Sequence, residues 1–207
     1  MIFDGIVLDI DGTIWNTTEI VAAAWNEAIQ ETNLKIKISA DILRSEFGKT
    51  MEEIADDLFS SVKLTERKKL MEECCKKEQN AIRTNTKKIE YDHVVETIQS
   101  MAKTRRLFIV SNCQKGYIEL VMEKMGITSY ISDYECFGNT GNRKSLNIID
   151  IVKRNSIAHP VYVGDTQGDC DACKEATVPF IWASYGFGNV NSYYAVIKSF
   201  IELEKIV

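Results

Sequence analysis

The sequence predicts an α/β fold: a parallel sheet with helices on both faces, plus an all-helical segment inserted after the first strand. Three observations carry this. From residue 92 onward, apolar strands and amphipathic helices alternate through short loops, the pattern of a sheet covered on both faces. Residues 18–88 hold only helical patterns, an interval that separates the first strand from that alternation. Three apolar strands each end in a polar residue, Asp9, Ser111 and Asp165. In an open parallel sheet, ligands bind beyond such carboxyl ends.

The elements follow in order. Residues 3–10 read as a buried strand with a sharp polar end. Thr17 or Thr18 is placed to cap a helix whose apolar stripe is Ile20, Val21, Ala24, Trp25, Ala28 and Ile29. Helices are expected over 40–47 and 50–59, with Gly48 between them. Thr65 is expected to cap a long charged helix to about residue 83. An amphipathic helix follows over 92–103, then a strand at 106–111 and a helix over 115–125 stopped by Gly126. A weaker strand at 131–137, a helix at 145–155, a strand at 161–165, a helix at 169–176 and a strand at 180–183 complete the alternation. Asn191 or Ser192 is expected to cap a last helix reaching about residue 205.

The bulk properties exclude several classes. With 207 residues, 45% hydrophobic and 27% charged, the chain suits one globular core with an insert. A net charge of -5 argues against a broad nucleic-acid face, and any phosphate site must be built locally. No apolar run approaches membrane-spanning length, and no signal-peptide pattern opens the chain. The six cysteines do not form a secreted disulfide framework, so a cytoplasmic setting is expected. Cys170 and Cys173 read as helix-packing residues rather than a redox pair.

Asp9 and Asp11 stand two positions apart at the end of an extended run, so both point to one face and repel unless a cation lies beside them. The pair reads either as a solvated strand end or as part of a divalent-cation site. Asp165 and Asp169 add carboxylates after a second strand, with helix-terminus service as the alternative for Asp169. Lys144, after the loop Gly138–Asn142, is the type of residue a phosphate needs beside several aspartates, or else a solvated loop lysine.

In these segments the chain resembles the haloacid dehalogenase superfamily, in its phosphatase branch with a helical cap. Asp9-Ile10-Asp11-Gly12-Thr13 is similar to the first motif, Ser111-Asn112 to the second, Lys144 to the third and Gly164-Asp165-Thr166-Gln167-Gly168-Asp169 to the fourth. The resemblance implies a Rossmann-like core over 1–14 and 88–207 and a cap over 15–87. It also implies a Mg²⁺-dependent phosphatase acting on a small phosphorylated metabolite, with neither nucleic acid nor membrane as partner and the oligomeric state open. By the same resemblance, Asp9 is the nucleophile and Asp11 the general acid and base. Ser111, Asn112 and Lys144 hold phosphate, and Asp9, the Asp11 backbone carbonyl, Asp165 and Asp169 hold the metal.

The second aspartate, Asp11, separates this branch from the dehalogenases. A phosphomutase like β-phosphoglucomutase is the main rival. Such enzymes resemble this chain in both aspartates but use a cap histidine, and the histidines here are His93 and His159, outside the cap. A non-catalytic binding protein on the same fold is the other rival; it predicts loss of at least one of these residues. In the cap, Phe47-Gly48-Lys49-Thr50 is similar to a substrate-selecting loop, so Lys49 is a candidate substrate contact or a solvated lysine. Asn16 is a second candidate contact. Tyr185-Gly186-Phe187-Gly188 reads as loop packing or a ligand-side segment.

Overall fold

The computed structural model describes residues 3–207. Six parallel strands form one sheet in the order β3-β2-β1-β4-β5-β6. They are β1 (Gly5–Leu8), β2 (Arg106–Ser111), β3 (Ile131–Cys136), β4 (Pro160–Gly164), β5 (Phe180–Ala183) and β6 (Ala195–Ile197). The order reverses direction at β1, which pairs with β2 on one side and β4 on the other. That switch point is where a doubly wound sheet opens a crevice.

Alternate strand residues serve opposite faces, as a period of two requires. Ile6, Leu8, Leu107, Ile109, Val161 and Val163 pack with α5 (Val94–Met101) and α6 (Tyr117–Met125). Val7, Phe108, Val110 and Tyr162 pack with α8 (Lys144–Arg154) and α9 (Gln167–Ala176). A single turn of helix, α7 (Phe137–Thr140), links β3 to α8.

Between β1 and α5 the chain is helical: α1 (Thr18–Gln30), α2 (Ala40–Glu46), α3 (Met51–Leu58) and α4 (Leu64–Thr84). Ser39 Oγ accepts from the Ile42 amide at the start of α2, and Thr50 with Glu53 forms a capping box on α3. The two connections to the sheet run side by side. The Asn16 amide donates to the Ile89 carbonyl at 2.8 Å, and the Tyr91 amide to the Ile14 carbonyl at 3.1 Å.

Three expectations need correction. The last helix over 191–205 does not form. Instead Ala195–Ile197 adds β6 to the sheet edge, and a 3₁₀ turn spans Phe200–Lys205. A short segment with the β-branched pair Val196 and Ile197, next to an open edge, gains ladder hydrogen bonds with β5, which outweigh its local helical spacing. Phe200 and Leu203 are buried three apart, a spacing that a 3₁₀ turn satisfies as well as an α-helix. Thr65 does not cap α4, because the helix already begins at Leu64 with Lys63 at the cap position. Thr17 occupies the cap position of α1 without capping it; the Asn16 side-chain carbonyl accepts from the Thr18 amide instead.

Candidate active site

Asp9 follows β1, Ser111 ends β2 and Asp165 follows β4, so the three central strands deliver their polar ends to one crevice. The Asp9 amide donates to the Val163 carbonyl at 2.9 Å, which fixes Asp9 beside the end of β4. Carboxylate oxygens of Asp9, Asp165 and Asp169 lie within 4.8 Å of one another, and all three residues are buried. Asp169 reaches the crevice from the first turn of α9, where it also completes a capping box with Thr166.

Lys144, 5% exposed at the start of α8, joins them. Its Nζ donates to Asp9 Oδ1 at 2.9 Å and to Asp169 Oδ1 at 2.6 Å. Burial disfavours the charged lysine, but the two carboxylates more than offset this and raise its pKa. The same contacts act on Asp169. Burial alone would raise it, yet Lys144 and the donors from Thr166 hold it below the usual carboxylate value. Burial pushes Asp9 up to about 7 against the pull of Lys144. Asp165 is raised well above the usual range by burial and by the Asp169 and Asp9 charges.

With all three ionised, the buried carboxylates would leave negative charge that one ammonium cannot match, which is why Asp9 and Asp165 are held toward their protonated forms. An oxygen-rich, anionic donor set of this kind suits a hard divalent cation. The backbone is also drawn tightly around Asp165. Gly12 has φ +83°, and a Cβ at Gly12 or Gly186 would collide with the Asp165 carboxylate. The Phe187 amide donates to Asp165 Oδ2 at 2.7 Å, and Thr13 Oγ1 lies 3.4 Å from Asp165 Oδ1. A divalent metal ion therefore fits the residues present.

The carboxylates differ in how their oxygens are used. Asp169 Oδ2 accepts from the Asp165 amide, the Thr166 amide and Thr166 Oγ1, so both its oxygens are engaged by protein. Asp9 keeps Oδ2 free of hydrogen bonds from the described residues, while Oδ1 meets Lys144 and lies 3.3 Å from the Tyr162 hydroxyl. Asp11 concentrates three donors on Oδ1: Trp15 Nε1 at 2.9 Å, Tyr117 Oη at 2.9 Å and Thr17 Oγ1 at 3.2 Å. Burial still outweighs these donors and pushes Asp11 up to about 6. A carboxyl fixed through one oxygen with a pKa near neutrality can carry a proton on the other and give it up.

The site opens into a cavity of about 20 Å³ beneath the helical segment. Asp9, Asp11, Ser111 and Asn112 line it from the sheet side, and Gly48, Lys49 and Glu78 from the other side. Asn112 Nδ2 donates to the Gly48 carbonyl at 2.8 Å, a direct link across the cavity. Lys49 lies at the cavity, but its Nζ is held by Glu46 Oε2 at 2.9 Å and Asp57 Oδ2 at 2.7 Å. The structure does not bring Asn16 to it. Asn16 Oδ1 is occupied at the start of α1, by the Thr18 amide and hydroxyl.

Sequence reasoning missed Tyr117, Glu78 and Gln114, and Tyr162 beneath Asp9. Each is distant in sequence from the groups it touches and carries no motif. Tyr185 and Phe187 are placed partly as packing: Tyr185 meets Tyr91 edge-on, and its hydroxyl donates to the Thr13 carbonyl at 2.8 Å. The ligand-side part is a backbone amide, which side-chain type does not disclose. Cys170 and Cys173 are free, buried and packed with α8, in agreement with the packing reading.

The profile of haloacid dehalogenase-like hydrolases matches residues 6–183. The chain belongs to that family. Solved structures share its fold over nearly the whole length. A protein described as a predicted phosphoglycolate phosphatase from Haemophilus somnus 129PT is similar, with a TM-score of 0.85, 19% identity, and 99% of this chain and 97% of that one covered. A haloacid dehalogenase-like family hydrolase from Streptococcus pneumoniae is similar at 0.81 and 13%, covering 99% and 98%. A predicted phosphatase from Clostridium acetobutylicum is similar at 0.80 and 14%, covering 100% and 98%. No curated protein matches the sequence significantly. Among the described residues, no helix is long and apolar enough to cross a membrane.

Proposed function

We propose that the protein is a phosphatase that hydrolyses a small-molecule phosphate monoester through a phosphorylated Asp9. The observation that carries this reading is the unequal treatment of Asp9 and Asp11. Asp9 Oδ1 is held by Lys144 while Oδ2 stays available, and Asp11 is poised to exchange a proton.

Asp9 Oδ2 attacks phosphorus, and the bond from phosphorus to the substrate alcohol oxygen breaks. Asp11 gives its proton to that oxygen, so the alcohol leaves neutral. Asp11, now ionised, takes a proton from water as the water oxygen attacks the same phosphorus. The bond to Asp9 breaks, and free phosphate and both starting carboxyl groups are regenerated. Ser111, Lys144 and the backbone amide of Asn112 orient the phosphoryl oxygens. Asp9, Asp165 and the Asp11 backbone carbonyl would hold Mg²⁺, which supplies positive charge between an anionic nucleophile and an anionic substrate. Asp169, with both oxygens engaged, would act through water and through its grip on Lys144.

The chain divides on this reading into a core, 1–14 and 88–207, and a cap, 15–87. The paired connections at Asn16–Ile89 and Tyr91–Ile14 form the hinge. A cavity of about 20 Å³ holds little more than one water, so the cap must open to admit an ester and close to exclude solvent. The test is phosphate release from an aryl phosphate in the presence and absence of Mg²⁺. Release should depend on the ion and vanish in Asp9→Asn; turnover that survives this substitution overturns the reading.

A further inference from the structure

Glu78 lies on α4, the long cap helix, and no step above uses it. It is 3% exposed and lines the cavity opposite Asp9 and Asp11. Both its oxygens accept from neutral donors: Oε2 from Trp25 Nε1 at 2.8 Å and Oε1 from Gln114 Nε2 at 3.0 Å. No cation pairs with it among the described residues. A buried carboxylate without a counter-charge is costly to ionise, and a hydrogen-bond donor or cation on a ligand beside it lowers that cost.

The surrounding amides point the same way. Gln114 Oε1 and Asn112 Oδ1 are buried with no donor, and both residues line the cavity. Their orientations are fixed by their other ends. Asn112 Nδ2 donates to the Gly48 carbonyl, and Gln114 Nε2 to Glu78, where a reversed amide would set oxygen against oxygen. A cavity wall with a carboxylate and two unsatisfied acceptors has more acceptors than free donors: the Tyr117 hydroxyl is given to Asp11, which leaves that of Ser111. Lys49, the one lysine or arginine lining the cavity among the described residues, is neutralised by Glu46 and Asp57.

We propose that the cavity selects phosphate esters whose alcohol portion carries a hydrogen-bond donor, a hydroxyl or an ammonium group, and rejects those carrying a carboxylate. Donors on the substrate would satisfy Glu78, Gln114 and Asn112. A substrate carboxylate would meet Glu78 as a like charge in a desolvated space and leave the acceptors unpaired. This rests on the phosphatase reading above and narrows it. It also sets this chain apart from neighbours described as phosphoglycolate phosphatases, whose described substrate carries a carboxylate.

The experiment compares kcat/KM, by free phosphate, for glycerol phosphate, O-phosphoethanolamine and phosphoglycolate. It is run with Mg²⁺ at about pH 8, where Glu78 is ionised. Aryl phosphate, which carries neither group, is the reference. In the natural protein at least one donor-bearing ester should exceed phosphoglycolate by about tenfold or more, and the leading ester identifies the donor. Glu78→Gln should compress that ratio to within about threefold. Equal rates, a preference for phosphoglycolate, or an unchanged ratio in Glu78→Gln overturns the proposal and leaves the phosphatase reading standing. The ratio in the natural protein decides the matter even where the variant fails to fold. Release from none of the four substrates overturns both.

Discussion

The Tyr117 hydroxyl donates to Asp11 Oδ1 at 2.9 Å, across 106 residues of chain. It joins Trp15 and Thr17 on the same oxygen, so the proton that Asp11 transfers belongs on Oδ2. The donors also favour the ionised form and hold down a pKa that burial raises to about 6. Tyr117→Phe removes one donor, so Asp11 should hold its proton to higher pH. The alkaline limb of the kcat/KM profile should move up, with a loss in rate of about tenfold for an alkyl ester that needs protonation. Steady-state kinetics across pH checks this; an unmoved limb would separate Tyr117 from Asp11 function.

Lys144 is the ammonium that bridges Asp9 and Asp169. Its replacement by Met leaves the carboxylates facing one another in a buried space. In the absence of Mg²⁺, unfolding by urea should show a loss of ~3–5 kcal/mol, the scale for breaking a buried ion pair. Mg²⁺ should recover part of that loss by binding the folded state. A destabilisation below ~1 kcal/mol would mean the cluster is not held by this contact.

Glu78 gives a stability signature of its own. Burial raises its pKa from 4.5 to about 7, ahead of the opposing donors Gln114 and Trp25. The folded state therefore binds this proton more tightly than the unfolded state. Its contribution is full below pH 4.5, declines as pH rises through about 7, and is constant above. Glu78→Gln cannot ionise, so its stability relative to the natural protein should improve by on the order of 3 kcal/mol from about pH 4.5 to about pH 7. Denaturant unfolding at the two ends of that range checks it; a pH-independent difference would place Glu78 in an ordinary solvated setting.

Much of the fold could be read from the chain because the central strands β1, β2 and β4 are short apolar runs and most helices have their own stripe. β1, β2 and β4 also announced the site by their polar ends, Asp9, Ser111 and Asp165. Other features were hidden for physical reasons. β6 exists only because β5 offers an open edge to Ala195–Ile197. Lys49 lines the cavity, but its pairing with Glu46 and Asp57, which no motif signals, depends on how α2 and α3 pack. Tyr117 and Glu78 acquire their positions from helices that meet only in the folded protein, and the Phe187 contact to Asp165 is a backbone amide that no side chain signals.

The central claim is that Asp9 becomes phosphorylated and Asp11 then activates the water that frees it. Asp11→Asn, mixed rapidly with an aryl phosphate and Mg²⁺, tests this most directly. The aryl leaving group needs no proton, so the first step should proceed while the second stalls. The account predicts a burst of aryl alcohol stoichiometric with enzyme and, on acid quench, one phosphoryl group on the peptide that contains Asp9. Aryl alcohol release with neither a burst nor an adduct on that peptide would contradict it.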